Sequence, residues 1–236
     1  MTNNDYFTFS KPSFILNISN NIYIYFIGLI TILLTSSIYI VSIVASFDVQ
    51  QKYNYLIIYV HLPSAWISIS VYILITISAI LYLINKNPLA HLITRSGLVT
   101  GTIFTLLTLI SGSLWGKPMW GTYWVWDVRL TFVLLLFFIY ILNTIISFSY
   151  KDINNKISSV FIVIGFINIP IIKLSVNYWN TLHQASSITQ LKSNIHISML
   201  IPILYTIIAF YFIACIFAMI YLRKIILERK IYTYLD

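Results

Sequence analysis

The stretch "WGKPMWGTYWVWD", residues 115–127, holds four of the six tryptophans in a chain of 236 residues. Tryptophan and tyrosine are common at the interface between a bilayer and water, because each has an apolar body and a polar tip. An interfacial belt, however, distributes its aromatic residues around a whole bundle of helices. The clustering of four tryptophans in thirteen residues therefore indicates a further role for this segment.

The composition of the rest of the chain is typical of an integral membrane protein. Hydrophobic residues make up 59% of the chain and charged residues only 8%, whereas a soluble domain carries about 25% charged residues. The mean hydropathy is +0.89. The net charge of +8 is spread thinly and forms no basic block, which argues against nucleic acid as a partner. We expect one all-α membrane domain covering residues 1–236.

Six apolar segments are long enough to span a bilayer, which requires about 20 residues each. None shows a sustained two-residue alternation, and backbone within a membrane must satisfy its own hydrogen bonds, so we expect helices. The predicted spans are residues 22–44, 55–84, 92–114, 130–150, 157–176 and 195–222.

The distribution of Lys and Arg predicts the orientation of these spans. Nine of the 14 basic residues fall on the side that holds both termini. Because cytoplasmic loops carry the excess of Lys and Arg, both termini are predicted to be cytoplasmic. The outer connections are then residues 45–54, 115–127 and 177–194. The tryptophan-rich segment becomes an outer loop between the third and fourth helices.

Three of the four histidines are predicted to lie at the same outer level as this segment. They are His61, His183 and His196, whereas His91 is placed at the cytoplasmic end of the third span. Two neutral imidazoles approaching from opposite sides are suitable axial ligands for haem iron. An isolated histidine in a membrane protein is, however, often a packing or hydrogen-bonding residue.

Aromatic and basic residues at this level suit the remainder of a haem. Tryptophans offer a flat apolar platform for the macrocycle, and Lys117, Arg129 and Lys192 are cations available to its propionates. Each feature also has a simpler interpretation, since a single interfacial tryptophan is usually an anchor. Asp127 and Arg129 could likewise form a local pair at the start of a helix.

Two kinds of chemistry are not expected of this chain. Cys215 is the only cysteine, so neither an intrachain disulfide exchange nor a C-x-x-C-H haem attachment site is possible. The sequence also lacks a Walker-type phosphate loop. We therefore expect a non-enzymatic protein in which any use of ATP belongs to a partner.

Three segments together resemble a known family. "SGSLWGKPMWGTYWVWDVRLT" (111–131) is similar to the signature of the tryptophan-rich WWD haem-handling membrane proteins. "YVHLPSAW" (59–66) and "SVNYWNTLHQ" (175–184) resemble the flanking histidine segments of one branch, the haem exporter protein C (CcmC) family of cytochrome c maturation. The resemblance covers most of the chain, from about residue 59 to residue 202.

The resemblance implies a set of site residues for one transient haem b. His61 and His183 would be the axial ligands of its iron. The platform would comprise Trp115, Trp120, Tyr123, Trp124 and Trp126, and the propionates would meet Arg129 and Lys117. Trp124, Trp126 and Asp127 would also form a docking surface for a partner.

The resemblance further implies a role in haem delivery. Such proteins present haem on the outer, periplasmic face and promote its transfer to a membrane-anchored haem chaperone. They work with an ATP-binding-cassette ATPase subunit, a second membrane subunit and a very small membrane subunit. The expected location is a bacterial inner membrane, with a mitochondrial inner membrane as the alternative.

Two other classes of protein remain open at the level of the sequence. A solute permease would use the tryptophan-rich loop as a gate and would need a polar site near the bilayer midplane. A membrane b-type cytochrome would need facing histidine pairs at more than one depth, and the sequence offers no second histidine at the predicted depth of His91.

Overall fold

The computed structural model describes residues 12–43, 51–149, 156–179, 181–183 and 196–235. Six helical segments in this part of the chain are long and apolar enough to cross a membrane, which confirms the predicted six-span, all-α membrane fold. A short 3₁₀ turn at Tyr53–Ile57 precedes the second span. The helices are α1 Pro12–Ile43, α2 Ile58–Asn85, α3 Pro88–Trp120, α4 Val128–Ser149, α5 Ile157–Gly165, α6 Asn168–Tyr178 and α7 Ile197–Leu235.

Helix α3 is longer at both ends than predicted. It begins at Pro88, where the Asn87 side chain accepts a hydrogen bond from the Leu89 amide at 2.9 Å. It ends only at Trp120 and is capped by Gly121, whose φ of 79° lets its amide bond back to the Lys117 carbonyl. The prediction that residues 115–127 are all loop is therefore wrong, because the first half of the segment is helical.

The predicted fifth span, residues 157–176, is broken into α5 and α6. The amides of Phe166 and Ile167 bond to carbonyls three residues earlier, at 3.3 Å each, instead of four residues earlier. Pro170 has no amide hydrogen and cannot restore the normal bond to the Phe166 carbonyl. The Asn168 side chain holds the break against α4 by donating to the Phe132 carbonyl at 2.9 Å.

The core lies where α2 to α6 meet. Helices α2 and α3 form a hairpin that turns at Lys86, which adopts a left-handed conformation with φ 51°. Two buried tyrosines connect helices through their hydroxyls. Tyr72 donates to the Ile162 carbonyl at 3.0 Å, and Tyr140 donates to the Ser68 carbonyl at 2.7 Å. The buried apolar cluster around them comprises Ile75, Ala79, Leu98, Leu136, Ile162, Ile169 and Ile172.

Helices α1 and α7 pack against each other beside this core. Helix α7 has 39 residues, which corresponds to a length of about 58 Å and exceeds the roughly 30 Å of bilayer hydrocarbon. Helix α1 begins at Pro12, ten residues before the predicted span. Lys192 and parts of the predicted connections 45–54 and 177–194 lie outside the described residues.

Candidate functional site

One end of the bundle gathers most of the predicted site residues. This end, called the tryptophan end here, is formed by the start of α2, the end of α3, residues 121–127 and the start of α4, with residues 181–183 beside them. Helix caps at Gly121 and Asp127 fix the connection between α3 and α4. Short rigid connections of this kind position side chains more closely than a free loop of thirteen residues would.

His61 projects from the first turns of α2 towards α3. Its Nδ1 atom lies 3.1 Å from the Ser111 hydroxyl oxygen, and its ring meets Trp115 edge-on with 5.8 Å between centroids. Gly112 faces the same ring, and a Cβ atom there would come within 2.9 Å of the imidazole Cε1. The imidazole therefore lies between the Ser111 hydroxyl, the Trp115 indole and the backbone of α3 at Gly112.

His183 reaches the same end from the chain that follows α6. Its Nδ1 atom lies 3.2 Å from Asp127 Oδ2, and its backbone amide donates to the Thr181 hydroxyl at 2.9 Å. Trp120 contacts the imidazole edge-on, with 5.1 Å between ring centroids. His61 and His183 are thus carried by separate elements and are close enough to interact electrostatically.

The environment of His183 favours the neutral imidazole. Burial, followed by the positive charge of Arg129, lowers the pKa of His183 below its ordinary value, whereas the hydrogen bond and the charge of Asp127 oppose this shift. A lowered pKa keeps the ring neutral to more acidic pH than a free histidine. A neutral imidazole is the form that can bind a metal.

The Asp127 side chain has two hydrogen-bond partners among the described residues and little exposure. Its Oδ1 atom accepts a hydrogen bond from the Leu130 amide at 2.7 Å and so caps α4, while Oδ2 faces His183. Only 8% of the residue is exposed. This geometry makes Asp127 a link between the start of α4 and His183, and leaves little of it for direct contact with a partner protein.

The two predicted propionate cations differ in their surroundings. Arg129 is half-buried in the first turn of α4 and acts electrostatically on both His61 and His183. No ion pair within 4.0 Å joins its guanidinium to an acid in the described ranges. Lys117 is exposed, donates to the Gly121 carbonyl at 3.1 Å, and lies 5.2 Å from the Tyr123 ring centroid.

The four tryptophans divide into two pairs. Trp115 and Trp120 each contact a histidine, and Trp115 also donates from Nε1 to the Gln51 side chain at 3.1 Å. Trp124 and Trp126 contact each other edge-on at 5.5 Å, and Trp126 is 75% exposed. The Trp124 Nε1 atom is buried and has no hydrogen-bond acceptor within the part of the chain that is described.

The other two histidines, His196 and His91, contact residues that do not belong to the group described above. His196 precedes α7, where its Nδ1 atom accepts a hydrogen bond from the Ser198 amide at 3.3 Å and lies 2.7 Å from the Ser198 hydroxyl. It therefore acts as a helix cap. His91 is buried near the opposite end of α3, with its ring 4.8 Å from that of Tyr82.

Sequence reasoning did not single out Ser111, Gly112 or Gln51. A signal for the first two is present, because Ser111 stands four residues before Trp115 and shares its helical face. Small residues one turn away from a tryptophan leave room for the edge of another ring. Gln51 has no comparable signal, since it lies before a span and contacts Trp115 only through the tertiary fold.

Comparison with known proteins reveals the family. The model of the Heme exporter protein C family, CcmC, matches residues 5–235. The chain belongs to the heme exporter protein C family. A ccmC-like mitochondrial protein of cytochrome c biosynthesis from Marchantia polymorpha is 50% identical over 202 residues, covering 86% of this chain and 87% of that protein.

Similar proteins occur in both mitochondria and bacteria. A ccmC-like mitochondrial protein from Arabidopsis thaliana is 44% identical over 218 residues, which is 92% of this chain and 84% of that protein. Heme exporter protein C of Escherichia coli K12 is 36% identical over 182 residues, covering 76% of this chain and 74% of its own length. Membership of this family implies a haem-handling membrane subunit of cytochrome c maturation.

Proposed function

We propose that this chain binds one haem b as cargo at the tryptophan end, with its iron between His61 and His183, and promotes transfer of that haem to a membrane-anchored haem chaperone. The observation that carries this proposal is the pairing of two imidazoles from separate elements at one end of the bundle. Each is hydrogen-bonded at Nδ1 and each meets a tryptophan edge-on.

The surrounding residues suit a haem in three respects. Two imidazoles complete the coordination of an iron whose other four ligands are supplied by a macrocycle. Gly112 has no side chain, so the His61 imidazole can lie against α3 in its place. The buried Trp124 Nε1 has no acceptor among the described residues, and a propionate is one group that would accept its hydrogen.

Each residue would have a distinct task. His61 and His183 would bind the iron at its two axial positions. Trp115 and Trp120, beside the histidines, would contact the macrocycle, with Trp124, Trp126 and Tyr123 extending this platform outward. Arg129 is better placed than Lys117 to meet a propionate, because it is half-buried near both imidazoles while Lys117 is engaged at the end of α3.

The exposed part of the platform would contact the haem chaperone. Trp126 and Tyr123 are 75% and 57% exposed, and aromatic residues of this kind are frequent anchors of protein interfaces. On the family's pattern the chain would work with an ATPase subunit and two further membrane subunits. Its tryptophan end would face the periplasm or, in a mitochondrion, the corresponding outer side of the inner membrane.

The test compares three histidine variants of the purified full-length chain. His61→Ala and His183→Ala are expected to lose most bound haem, because each removes one axial ligand. His196→Ala is the matched control, since His196 caps α7. If either of the first two retains haem at the level of the parent at equal expression, the assignment of the ligands is wrong.

A second comparison separates haem binding from haem transfer. Changing Trp115 and Trp120 to Ala should reduce bound haem, since these rings adjoin the histidines. Changing Trp124 and Trp126 to Ala should mainly reduce transfer to the chaperone in membranes that contain it. If both double variants keep the haem content and the transfer of the parent, residues 115–127 serve only as interfacial anchors.

A further inference from the structure

We infer that Ser111 and Asp127 are positioning residues that hold His61 and His183 in the same tautomer, with the proton on Nδ1 and the lone pair on Nε2. This inference rests on the proposed function, because a free lone pair on Nε2 matters only if that atom binds iron. It concerns Ser111 and Asp127, which contact Nδ1 of each imidazole and so determine whether Nε2 carries a free lone pair.

The hydrogen bonds of Ser111 determine its role towards His61. The Ser111 hydroxyl lies 2.6 Å from the Leu107 carbonyl and donates its single hydrogen there. The same oxygen lies 3.1 Å from His61 Nδ1 and can then act only as an acceptor. Nδ1 must carry the hydrogen of this bond, so Nε2 of the neutral ring carries the lone pair.

Asp127 determines the tautomer of His183 more strictly. An ionised carboxylate only accepts hydrogen bonds, so the contact of 3.2 Å between Asp127 Oδ2 and His183 Nδ1 requires a hydrogen on Nδ1. The other oxygen, Oδ1, is already used by the Leu130 amide at 2.7 Å. Both carboxylate oxygens therefore have donors facing them, and neither can be replaced by an amide nitrogen without loss.

The two positioning groups differ in charge. A carboxylate behind an imidazole increases the basicity of the ring, whereas a serine hydroxyl that is itself a donor elsewhere has a smaller effect. His183 is consequently the more electron-rich ligand of the pair. More electron density from a ligand favours ferric over ferrous iron, so Asp127 should lower the midpoint potential of the bound haem.

Asp127→Asn is the most informative substitution. Its side chain keeps the shape of Asp127 but offers one acceptor oxygen to two donors, the Leu130 amide and His183 Nδ1. If the oxygen stays with Leu130, the amide NH₂ faces His183 Nδ1 and drives the hydrogen to Nε2, which removes the iron-binding lone pair. Asp127→Ser is the control for capping, because serine caps helices well but is too short to reach His183.

The experiment adds ferric haem to the full-length chain in detergent and measures its affinity, its visible spectrum and its midpoint potential. Loss of a residue behind a metal ligand typically weakens binding by about 10- to 100-fold, and we expect this for both Asp127→Asn and Asp127→Ser. The potential of the remaining haem should rise in both. Ser111→Ala should weaken binding less, and Ser111→Thr, which keeps the hydroxyl, should restore it.

Each outcome bears on a different claim. Parental affinity and potential in Asp127→Asn and Asp127→Ser would overturn the role of Asp127. Weaker binding in Asp127→Asn with parental binding and potential in Asp127→Ser would show that His183 needs no carboxylate behind it, and would also overturn the role of Asp127, since asparagine and serine both cap helices. Equal affinity in Ser111→Ala and the parent would overturn the role of Ser111. Parental haem binding in His61→Ala or His183→Ala would instead overturn the proposed function itself.

Discussion

Gly112 is the residue on which the placement of His61 depends most closely. A Cβ atom at this position would lie 2.9 Å from the imidazole Cε1, so the ring would have to move away from α3. Gly112→Ala is therefore expected to reduce haem binding, although alanine is the better helix former by about 1 kcal/mol.

The matched control for this substitution is Gly28→Ala. Gly28 lies in α1, and nothing stands within 4 Å of a Cβ atom built there. Haem content per protein and the melting temperature should be measured for both variants. Equal haem content in Gly112→Ala and Gly28→Ala would show that the contact between His61 and α3 does not matter for binding.

Arg129 is expected to be sensitive to shape as well as charge. A guanidinium can hold a carboxylate through two parallel hydrogen bonds, whereas a lysine ammonium acts as a compact point charge. Arg129→Lys should therefore weaken haem retention moderately, and Arg129→Ala strongly. Lys117→Ala should have little effect, because the Lys117 ammonium is bonded to the end of its own helix.

Haem retention at matched expression distinguishes these variants. A parental level in Arg129→Ala, with a loss in Lys117→Ala, would transfer the propionate contact to Lys117. Lys192 was a third candidate on the sequence and lies outside the described residues, so Lys192→Ala is a useful additional arm with an expected result close to the parent.

At the scale of the helices, the contact between α3 and α4 depends on Gly101. A Cβ atom at Gly101 would overlap the ring of Tyr140, which is fully buried and fixed by its hydrogen bond to the Ser68 carbonyl. Gly101→Ala should destabilise the protein by about 1–3 kcal/mol, the usual cost of overpacking. A thermal melt in detergent tests this, and an unchanged melting temperature would mean that α3 and α4 separate easily.

The helices illustrate what the sequence can and cannot predict. All six spans were predicted because long apolar runs are a strong signal. The end of α3 was misplaced by six residues, since a proline and two glycines in residues 115–121 resemble a loop. Pro118 is tolerated near the end of the helix, and Gly121 rather than Gly116 is the cap. The predicted fifth span was not divided at the break before Pro170, because both halves are apolar.

At the scale of the whole molecule, orientation is the principal expectation that is still a prediction. The charge bias predicts that the tryptophan end faces the outer side of the membrane. The hairpin at Lys86 then faces the cytoplasm or, in a mitochondrion, the corresponding inner side. Single cysteines can test this in a Cys215→Ser background. Thr122→Cys and Lys86→Cys are both at exposed positions.

Both cysteine variants are treated with a membrane-impermeant maleimide, once in intact inverted vesicles and once in intact right-side-out vesicles. Thr122→Cys should react only from the outer side and Lys86→Cys only from the inner side. Reaction of both from one side, or the opposite pattern, would contradict the predicted topology and the outward-facing site.

The candidate site was predicted only in part. His61, His183 and the tryptophans were identified from their motifs, and these residues meet at one end of the bundle in the structure. Their partners were not identified, because Ser111 and Gly112 approach His61 only when α2 and α3 pack together. Asp127 was assigned to a docking surface, whereas its burial and its bond to His183 depend on where the chain after α6 returns.

The central claim is that two imidazoles bind one haem iron at the tryptophan end. Electron paramagnetic resonance of the ferric, haem-loaded chain tests it most directly. We expect a low-spin signal of two axial imidazoles in the parent, and a high-spin signal in His61→Ala and in His183→Ala that returns to low spin when free imidazole is added. A low-spin, two-imidazole signal that persists without added imidazole in either variant would contradict the account.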